Sequence, residues 1–213
     1  VHFENTMGCL QRLSRKDKVA VASEHESAIQ KSLDEADAAA KSAVKLLLLG
    51  AGESGKSTLF KQMKVINKDG YADHERAPYQ SIVWNNVIDA VNSLMGAFDK
   101  LGFTQPPAVA EQAEDFARAT AAKPTLTPEL GATIRSLLSS DVVQQVLERR
   151  SEYNLSDSAE YYFGAIERTA DPDYLPTTDD VVRSRVRTTG IVQTEFAIKS
   201  TSFVMFDVGG QRA

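Results

Sequence analysis

The segment Gly50–Ser57 constrains the fold of this chain more than any other. It reads Gly-Ala-Gly-Glu-Ser-Gly-Lys-Ser and fits the pattern G-x-x-x-x-G-K-[ST] without a mismatch. An apolar run at 44–49 precedes it, and residues 57–66 continue with apolar residues at helical spacing. A strand, a glycine-rich turn and a helix start aim backbone N–H groups at a phosphate. The segment therefore predicts a P-loop between a buried parallel strand and a helix, rather than a chance glycine turn before a core helix.

Two side chains of this segment suit phosphate chemistry. Lys56 would place a positive charge on the outer phosphates, and Ser57 would offer its hydroxyl to a magnesium ion. A second candidate site follows the strand predicted over 202–207, which ends in Asp207. An Asp at the carboxyl end of a buried strand is where a P-loop NTPase places its second magnesium group, usually through water. Taken alone, this segment could equally be a plain exit from a strand into a turn.

The residues after Asp207 extend the second candidate site. Gly209 and Gly210 would let the backbone approach a γ-phosphate closely, and Gln211 is placed to orient an attacking water. Between the two sites lies Arg185-Val-Arg-Thr-Thr-Gly190. A cation at the developing charge and a hydroxyl on magnesium are the remaining needs of phosphoryl transfer. A solvated basic loop that enters the strand predicted over 191–198 is the alternative.

The motifs GAGESGKST, RVRTTG and DVGGQR, in this order, resemble the alpha subunit of a heterotrimeric G protein. The long stretch from about 67 to 183 resembles the helical domain inserted in such subunits, where a small Ras-like GTPase has a short connection. The resemblance implies an α/β fold, namely an incomplete P-loop (Ras-like) GTPase domain with an inserted all-helical domain and an N-terminal helix. It implies the divisions 1–42 (lipidated tail and helix), 43–67 (strand, P-loop, helix), 68–183 (helical domain) and 184–213 (switch I, two strands, start of switch II).

The resemblance also implies roles for single residues. Arg185 would be a built-in arginine finger, and Gln211 would position the water. Ser57 and Thr188 would be direct magnesium ligands, with Asp207 acting through a water. The residues that would contact the nucleotide come from all three motifs and from two segments of the helical region: Glu53, Ser54, Gly55, Lys56, Ser57, Thr58, Asp157, Ser158, Val182, Arg183, Ser184, Arg185, Thr188, Asp207, Val208, Gly209, Gly210 and Gln211.

The N-terminus carries a further resemblance. Met7-Gly8-Cys9 resembles the start of many alpha subunits, in which the glycine is myristoylated and the cysteine palmitoylated, so Met7 is the expected initiator. Two acyl chains give stable attachment to a membrane surface, here the cytoplasmic face of the plasma membrane. An unmodified terminus is the alternative.

Residues 12–42 predict a helix with a thin apolar stripe, which gains from a partner surface. The resemblance names that partner as the beta-gamma dimer, and adds a G protein-coupled receptor, a downstream effector and GTP or GDP.

Composition and length set further expectations. The net charge of −5 argues against a nucleic-acid binder, and the single cysteine excludes an internal disulfide. The sequence ends at Ala213, before the segment with which alpha subunits read guanine, so guanine specificity is implied by the resemblance alone. Three strands cannot cover both faces of a doubly wound sheet, so the last strand is expected to expose an edge and an apolar face. This sequence by itself is therefore expected to bind nucleotide poorly and to aggregate. A non-catalytic module that engages beta-gamma, or another P-loop NTPase or kinase, remain alternatives.

Overall fold

The computed structural model describes residues 26–34, 42–52, 54–67, 70–122, 124–186 and 190–209. Its strands pair in the order β1-β3-β2. They are β1 (Val44–Leu48), β2 (Ile191–Ile198) and β3 (Thr201–Val208). Two residues join β2 to β3, and the first of them, Lys199, has a φ of 55°. Such a short connection makes the pair an antiparallel hairpin. The apolar runs of the sequence predict all three strands to within two residues at either end.

The remaining described elements are helical. Residues 26–34 form a helical segment ahead of β1. A short 3₁₀ turn lies at Arg150–Glu152. The helices that follow β1 are α1 (Lys56–Asn67), α2 (Asp73–Arg76), α3 (Tyr79–Leu101), α4 (Pro107–Ala122), α5 (Pro128–Leu138), α6 (Asp141–Glu148), α7 (Ala159–Gly164), α8 (Ile166–Thr169) and α9 (Thr178–Arg183).

The chain divides into two compact units. The smaller one comprises 1–46 and 197–204, and its described part contains helical residues 26–34, the start of β1 and the turn of the β2–β3 hairpin. The larger one comprises 47–196 and 205–213, and it contains helices α1 to α9. Ser57, Arg185 and Asp207 all belong to this larger unit.

Helix α3 is the centre of the hydrophobic core. Its sequence repeats apolar residues at intervals of three and four, which predicts one buried face. Five residues of that face are at most 2% exposed: Val83, Val87, Val91, Leu94 and Phe98. Gly102, whose φ is 72°, ends the helix in the left-handed conformation that glycine adopts without strain. The amide of Phe103 then bonds back to the carbonyl of Phe98 at 2.9 Å, which closes the last turn.

Helices α5 and α8 pack closely at a glycine. Thr127 caps α5 by accepting a hydrogen bond from the amide of Leu130, and Pro128 occupies its first turn. A Cβ on Gly131 would lie 2.8 Å from the Cβ of Ala170, immediately after α8. Gly131 therefore allows a helix approach that any larger residue would prevent.

Two expectations from the sequence were wrong. The sequence from 159 to 169 predicts a single helix, but the chain leaves helical geometry at Ala165, where φ is −103° and ψ is 13°. Gly164 precedes this break and is a poor helix former. Strand β1 was expected to be buried, yet Leu46 and Leu47, which point to opposite faces, are 37% and 56% exposed. Neither face of β1 is therefore fully covered by the described part of the chain.

A further expectation, that the last strand would expose an edge and an apolar face, was also wrong, because β3 lies between β1 and β2 and its Val204 and Met205 are buried. Ile191 and Val192 of β2 are exposed, as are the β1 residues just named. The described part of the predicted N-terminal helix, 26–34, is helical, and its stripe residues Ile29 and Leu33 are more than half exposed. Within the described ranges, no helix is long and apolar enough to cross a membrane.

Candidate functional site

The predicted P-loop leads directly into helix α1. Gly55 has a φ of 83°, a left-handed conformation that favours glycine at this point of the motif. The amide of Leu59 donates to the carbonyl of Gly55 at 2.9 Å, so helical hydrogen bonding starts inside the loop. Helix α1 has 12 residues, and the positive end of its dipole lies at the loop. This arrangement favours an anion at the loop.

The ammonium of Lys56 lies over the same loop. Its Nζ donates to the carbonyl of Gly50 at 3.0 Å and to the carbonyl of Ala51 at 2.7 Å. A Cβ added to Gly50 would lie 2.7 Å from the hydroxyl of Ser54, so the backbone here approaches a side chain closely. The loop thus has a cation beside the N-terminus of a helix, which is an arrangement that favours phosphate.

The second predicted site meets the first through one hydrogen bond. The hydroxyl of Ser57 donates to Oδ2 of Asp207 at 2.6 Å. Asp207 lies near the end of β3 and is 2% exposed. Two residues after Asp207, the amide of Gly209 donates to the carbonyl of Gly190 at 3.3 Å, which links the end of β3 to the start of β2. The structure therefore brings a hydroxyl and a buried carboxylate to the P-loop.

The segment that precedes Arg185 is anchored to helix α1. Lys61, one turn after Ser57, is 7% exposed. Its Nζ donates to the carbonyl of Val181 at 2.9 Å, to the carbonyl of Ser184 at 2.6 Å and to the hydroxyl of Ser184 at 2.9 Å. Burial lowers the pKa of Lys61 to about 8. The P-loop helix thus fixes the residue immediately before Arg185.

Helix α9, which leads to Arg185, is held by a buried carboxylate. Asp180 is fully buried and receives both terminal nitrogens of Arg168, at 2.6 and 2.9 Å. The hydroxyls of Tyr161 and Tyr174 donate to it at 2.8 and 3.0 Å, and the amide of Thr177 at 2.7 Å. Burial alone raises the pKa of Asp180, but the hydrogen bonds from Arg168, Thr177 and Tyr161 outweigh it and lower the pKa to about 2. Asp180 is therefore ionised across the physiological range.

The structure also brings together two predicted nucleotide-facing segments. The hydroxyl of Ser158, which precedes α7, donates to the carbonyl of Arg183 at 2.8 Å. The guanidinium of Arg183 lies 4.6 Å from the centre of the Tyr161 ring. Val182 is buried, whereas Asp157 and Arg185 are exposed. The backbone of Arg185 is paired with the side chain of Asn86 on α3, at 2.6 and 3.0 Å.

Some predicted residues lie outside the described part of the chain. They are Gly8, Cys9, Glu53, Thr188, Gly210 and Gln211. Val208 is the last residue of β3 and Gly209 follows it, and both lie in the described part of the chain. Across the described ranges, no group of three or more His, Cys, Asp or Glu side chains could hold a metal ion by itself.

Sequence reasoning did not find Lys61, Asn86 or Asp180. Lys61 and Asn86 occupy helix positions at which a polar residue normally faces solvent, and nothing in the pattern distinguishes them. Asp180 had a signal, because Thr177 and Asp180 have the spacing of a capping box, and both capping hydrogen bonds are present.

A glycine-rich loop of this pattern, joined to the buried carboxylate of a neighbouring strand, defines this chain as a P-loop protein. The family model of the G-protein alpha subunit matches residues 23–213, and the chain belongs to that family. Its fold is accordingly that of a P-loop GTPase. Among curated proteins, it is similar to the guanine nucleotide-binding protein alpha-16 subunit of Caenorhabditis briggsae, with 42% identity over 211 residues. The alignment covers 97% of this chain and 58% of that relative, so the chain spans little more than half the relative's length.

Proposed function

We propose that this chain supplies the phosphate- and magnesium-binding part of a signalling GTPase, which binds GTP or GDP, hydrolyses GTP and couples a membrane receptor to an effector with a beta-gamma dimer. The hydrogen bond between Ser57 and Asp207 carries the proposal, because a hydroxyl and a carboxylate that could serve magnesium lie together beside the P-loop. The alpha-16 relative is named a guanine nucleotide-binding protein, which supports guanine as the base.

The donor set suits magnesium. A hydroxyl and a carboxylate are hard oxygen ligands, and magnesium commonly takes one or two such groups together with waters and substrate phosphates. Ser57 would coordinate the ion directly and Asp207 through a water, with Thr188 as a further ligand. When bound, the ion would neutralise charge that develops on the phosphates.

The chain's own residues would carry the remaining steps. The loop amides and Lys56 would bind the phosphates and orient them, together with Glu53, Ser54 and Gly55. Arg185 would stabilise charge on the transferring phosphoryl group, and Gln211 would orient the attacking water. The amide of Gly210 would contact the γ-phosphate. Thr188 and Gly210 would thereby sense GTP, so that the segments around them act as switches.

The helical region is proposed to face the nucleotide from the other side. Residues 68–183 would form the inserted helical domain, and the segments that close over the nucleotide are those joined by the Ser158–Arg183 hydrogen bond. Residues 43–67 and 184–213 would belong to the GTPase domain. Residues 1–42 would provide the lipidated tail and the beta-gamma-binding helix, with acylation at Gly8 and Cys9 and attachment to the cytoplasmic face of the plasma membrane.

Single-turnover hydrolysis tests this proposal. Protein expressed from the complete coding sequence is loaded with γ-labelled GTP or ATP, and release of phosphate is started with magnesium. We expect magnesium-dependent release from GTP and little from ATP. Equal turnover of both nucleotides, or transfer of the phosphate to a small-molecule acceptor, would instead indicate a different P-loop enzyme.

A further inference from the structure

Asn86, a residue of helix α3, contacts the backbone of Arg185. We propose that Asn86 is a positioning residue for Arg185: it holds the main chain of that residue so that the guanidinium reaches the transferring phosphoryl group. This inference rests on the proposed function, in which Arg185 stabilises the transition state, and adds a residue that sequence reasoning did not find.

The geometry of the contact is that of a two-point clamp. Oδ1 of Asn86 accepts the N–H of Arg185 at 2.6 Å, and Nδ2 of Asn86 donates to the carbonyl of Arg185 at 3.0 Å. One amide thus satisfies both backbone groups of one residue that is 99 positions away. Two simultaneous bonds between planar groups restrict rotation as well as distance, which a single bond does not. Both bonds use main-chain atoms of Arg185, so they fix where its side chain begins.

Asn86 lies on a helix that is packed into the hydrophobic core. Its neighbours on α3, Val83, Val87 and Ala90, are at most 3% exposed and belong to the main hydrophobic core. A side chain on a packed helix is held more accurately than one on a loop. The position of Asn86 is therefore set by the core of the helical region.

The clamp complements an anchor one residue earlier. Lys61 fixes the carbonyl of Ser184 to the P-loop helix, and Asn86 fixes Arg185 to α3. Together, these contacts fix the backbone at the start of the Arg185 side chain relative to both the P-loop helix and helix α3. Because a misplacement of about 1 Å can cost about 100-fold in rate, loss of this clamp should be visible in catalysis.

The test compares Asn86→Ala with Asn85→Ala in protein expressed from the complete coding sequence. Asn85 is the preceding residue on the same helix and is exposed, so it is a matched control. We expect Asn86→Ala to slow single-turnover GTP hydrolysis by about ten-fold or more, with the nucleotide Kd changed by less than about two-fold. We expect Asn85→Ala to hydrolyse GTP at the wild-type rate. A wild-type rate in Asn86→Ala would overturn the proposal, as would an altered GDP release rate without a change in hydrolysis.

A double-mutant cycle separates positioning from a general structural effect. If Asn86 acts through Arg185, Asn86→Ala should cause no further slowing in an Arg185→Ala background. A slowing that multiplies that of Arg185→Ala would contradict the proposed route.

If Asn86→Ala lowers the melting temperature, Asn86→Asp is used instead. It has the same shape, retains the acceptor for the N–H of Arg185 and loses the donor, and we expect its rate to lie between wild type and Arg185→Ala.

The same experiment distinguishes failure of this inference from failure of the proposed function. If Arg185→Ala hydrolyses GTP at the wild-type rate, the role of Arg185 is wrong and the role of Asn86 fails with it. If Arg185→Ala is slow and Asn86→Ala is not, the proposed function stands and the positioning role of Asn86 is excluded.

Discussion

The hydroxyl of Ser57 donates a hydrogen bond of 2.6 Å to the carboxylate of Asp207, although the two residues are 150 positions apart in the sequence. Ser57 belongs to the first turn of the P-loop helix, and Asp207 lies near the end of β3. Because Asp207 is almost fully buried, its carboxylate is oriented by the strand rather than by solvent. This contact unites two motifs that the sequence shows only separately.

Replacing Ser57 tests the proposed magnesium group. We expect Ser57→Asn to weaken magnesium-dependent binding of GTP by about ten-fold or more, and binding of GDP by less, because the γ-phosphate depends on the ion most. Ser57→Thr keeps a hydroxyl and serves as the matched control. The measurement is a nucleotide titration at several magnesium concentrations, and an equal loss for GTP and GDP would argue against Ser57 as a ligand.

Removing the proposed arginine finger should affect the rate and spare binding. Such a finger is worth about 10³–10⁵ in rate, a general range established in part on G-protein alpha subunits themselves and not obtained from this structure. We expect Arg185→Ala to fall in that range, with the GTP affinity largely retained, because the interaction forms in the transition state. Gln211→Leu should behave similarly. Single-turnover hydrolysis is the readout, and a wild-type rate in either variant would show that the role is misassigned.

The buried Asp180 should make stability depend on acid pH. Its pKa is lowered to about 2 from an ordinary value of 3.8, so its contribution is complete above about pH 4 and is lost as pH falls towards 2. The difference amounts to about 2 kcal/mol in the free energy of unfolding. Urea unfolding at pH 5 and pH 2.5 measures it, with Asp180→Asn as the reference that cannot titrate. Wild type and Asp180→Asn should therefore differ less at pH 2.5, and a constant difference would contradict this account.

The buried ammonium of Lys61 should stabilise the linker before Arg185. We expect Lys61→Met to cost about 1–3 kcal/mol in the free energy of unfolding, because the carbonyl of Ser184 loses its buried donor. Gln62→Met introduces the same side chain at the next, exposed position and should change stability little. Urea unfolding of the two variants checks this. Equal stabilities would mean that the hydrogen bonds of Lys61 contribute nothing measurable.

Local patterns were sufficient to predict much of this structure. The apolar runs located the three strands, and the spacing of Val83, Val87 and Leu94 located both α3 and its buried face. The motif around Lys56 located the loop and the start of α1. Each of these features is set by residues that are neighbours in the sequence, so a periodicity or a fixed spacing can reveal it.

The remaining features depend on contacts between distant segments. The burial of Lys61 follows from the approach of Val181 and Ser184, and the contact of Asn86 with Arg185 follows from the packing of α3. No periodicity encodes such a pairing. The exposure of β1 also differs from expectation, because an apolar run shows that a strand can be buried but does not supply the elements that cover it.

Binding of a fluorescent, non-hydrolysable GTP analogue tests the central claim most directly. Protein expressed from the complete coding sequence is titrated with and without magnesium, and excess GTP or ATP is then added as competitor. We expect tight binding that requires magnesium and is reversed by GTP but not by ATP. Binding that is indifferent to magnesium, or that ATP displaces as well as GTP, would contradict a guanine nucleotide site built on Ser57 and Asp207.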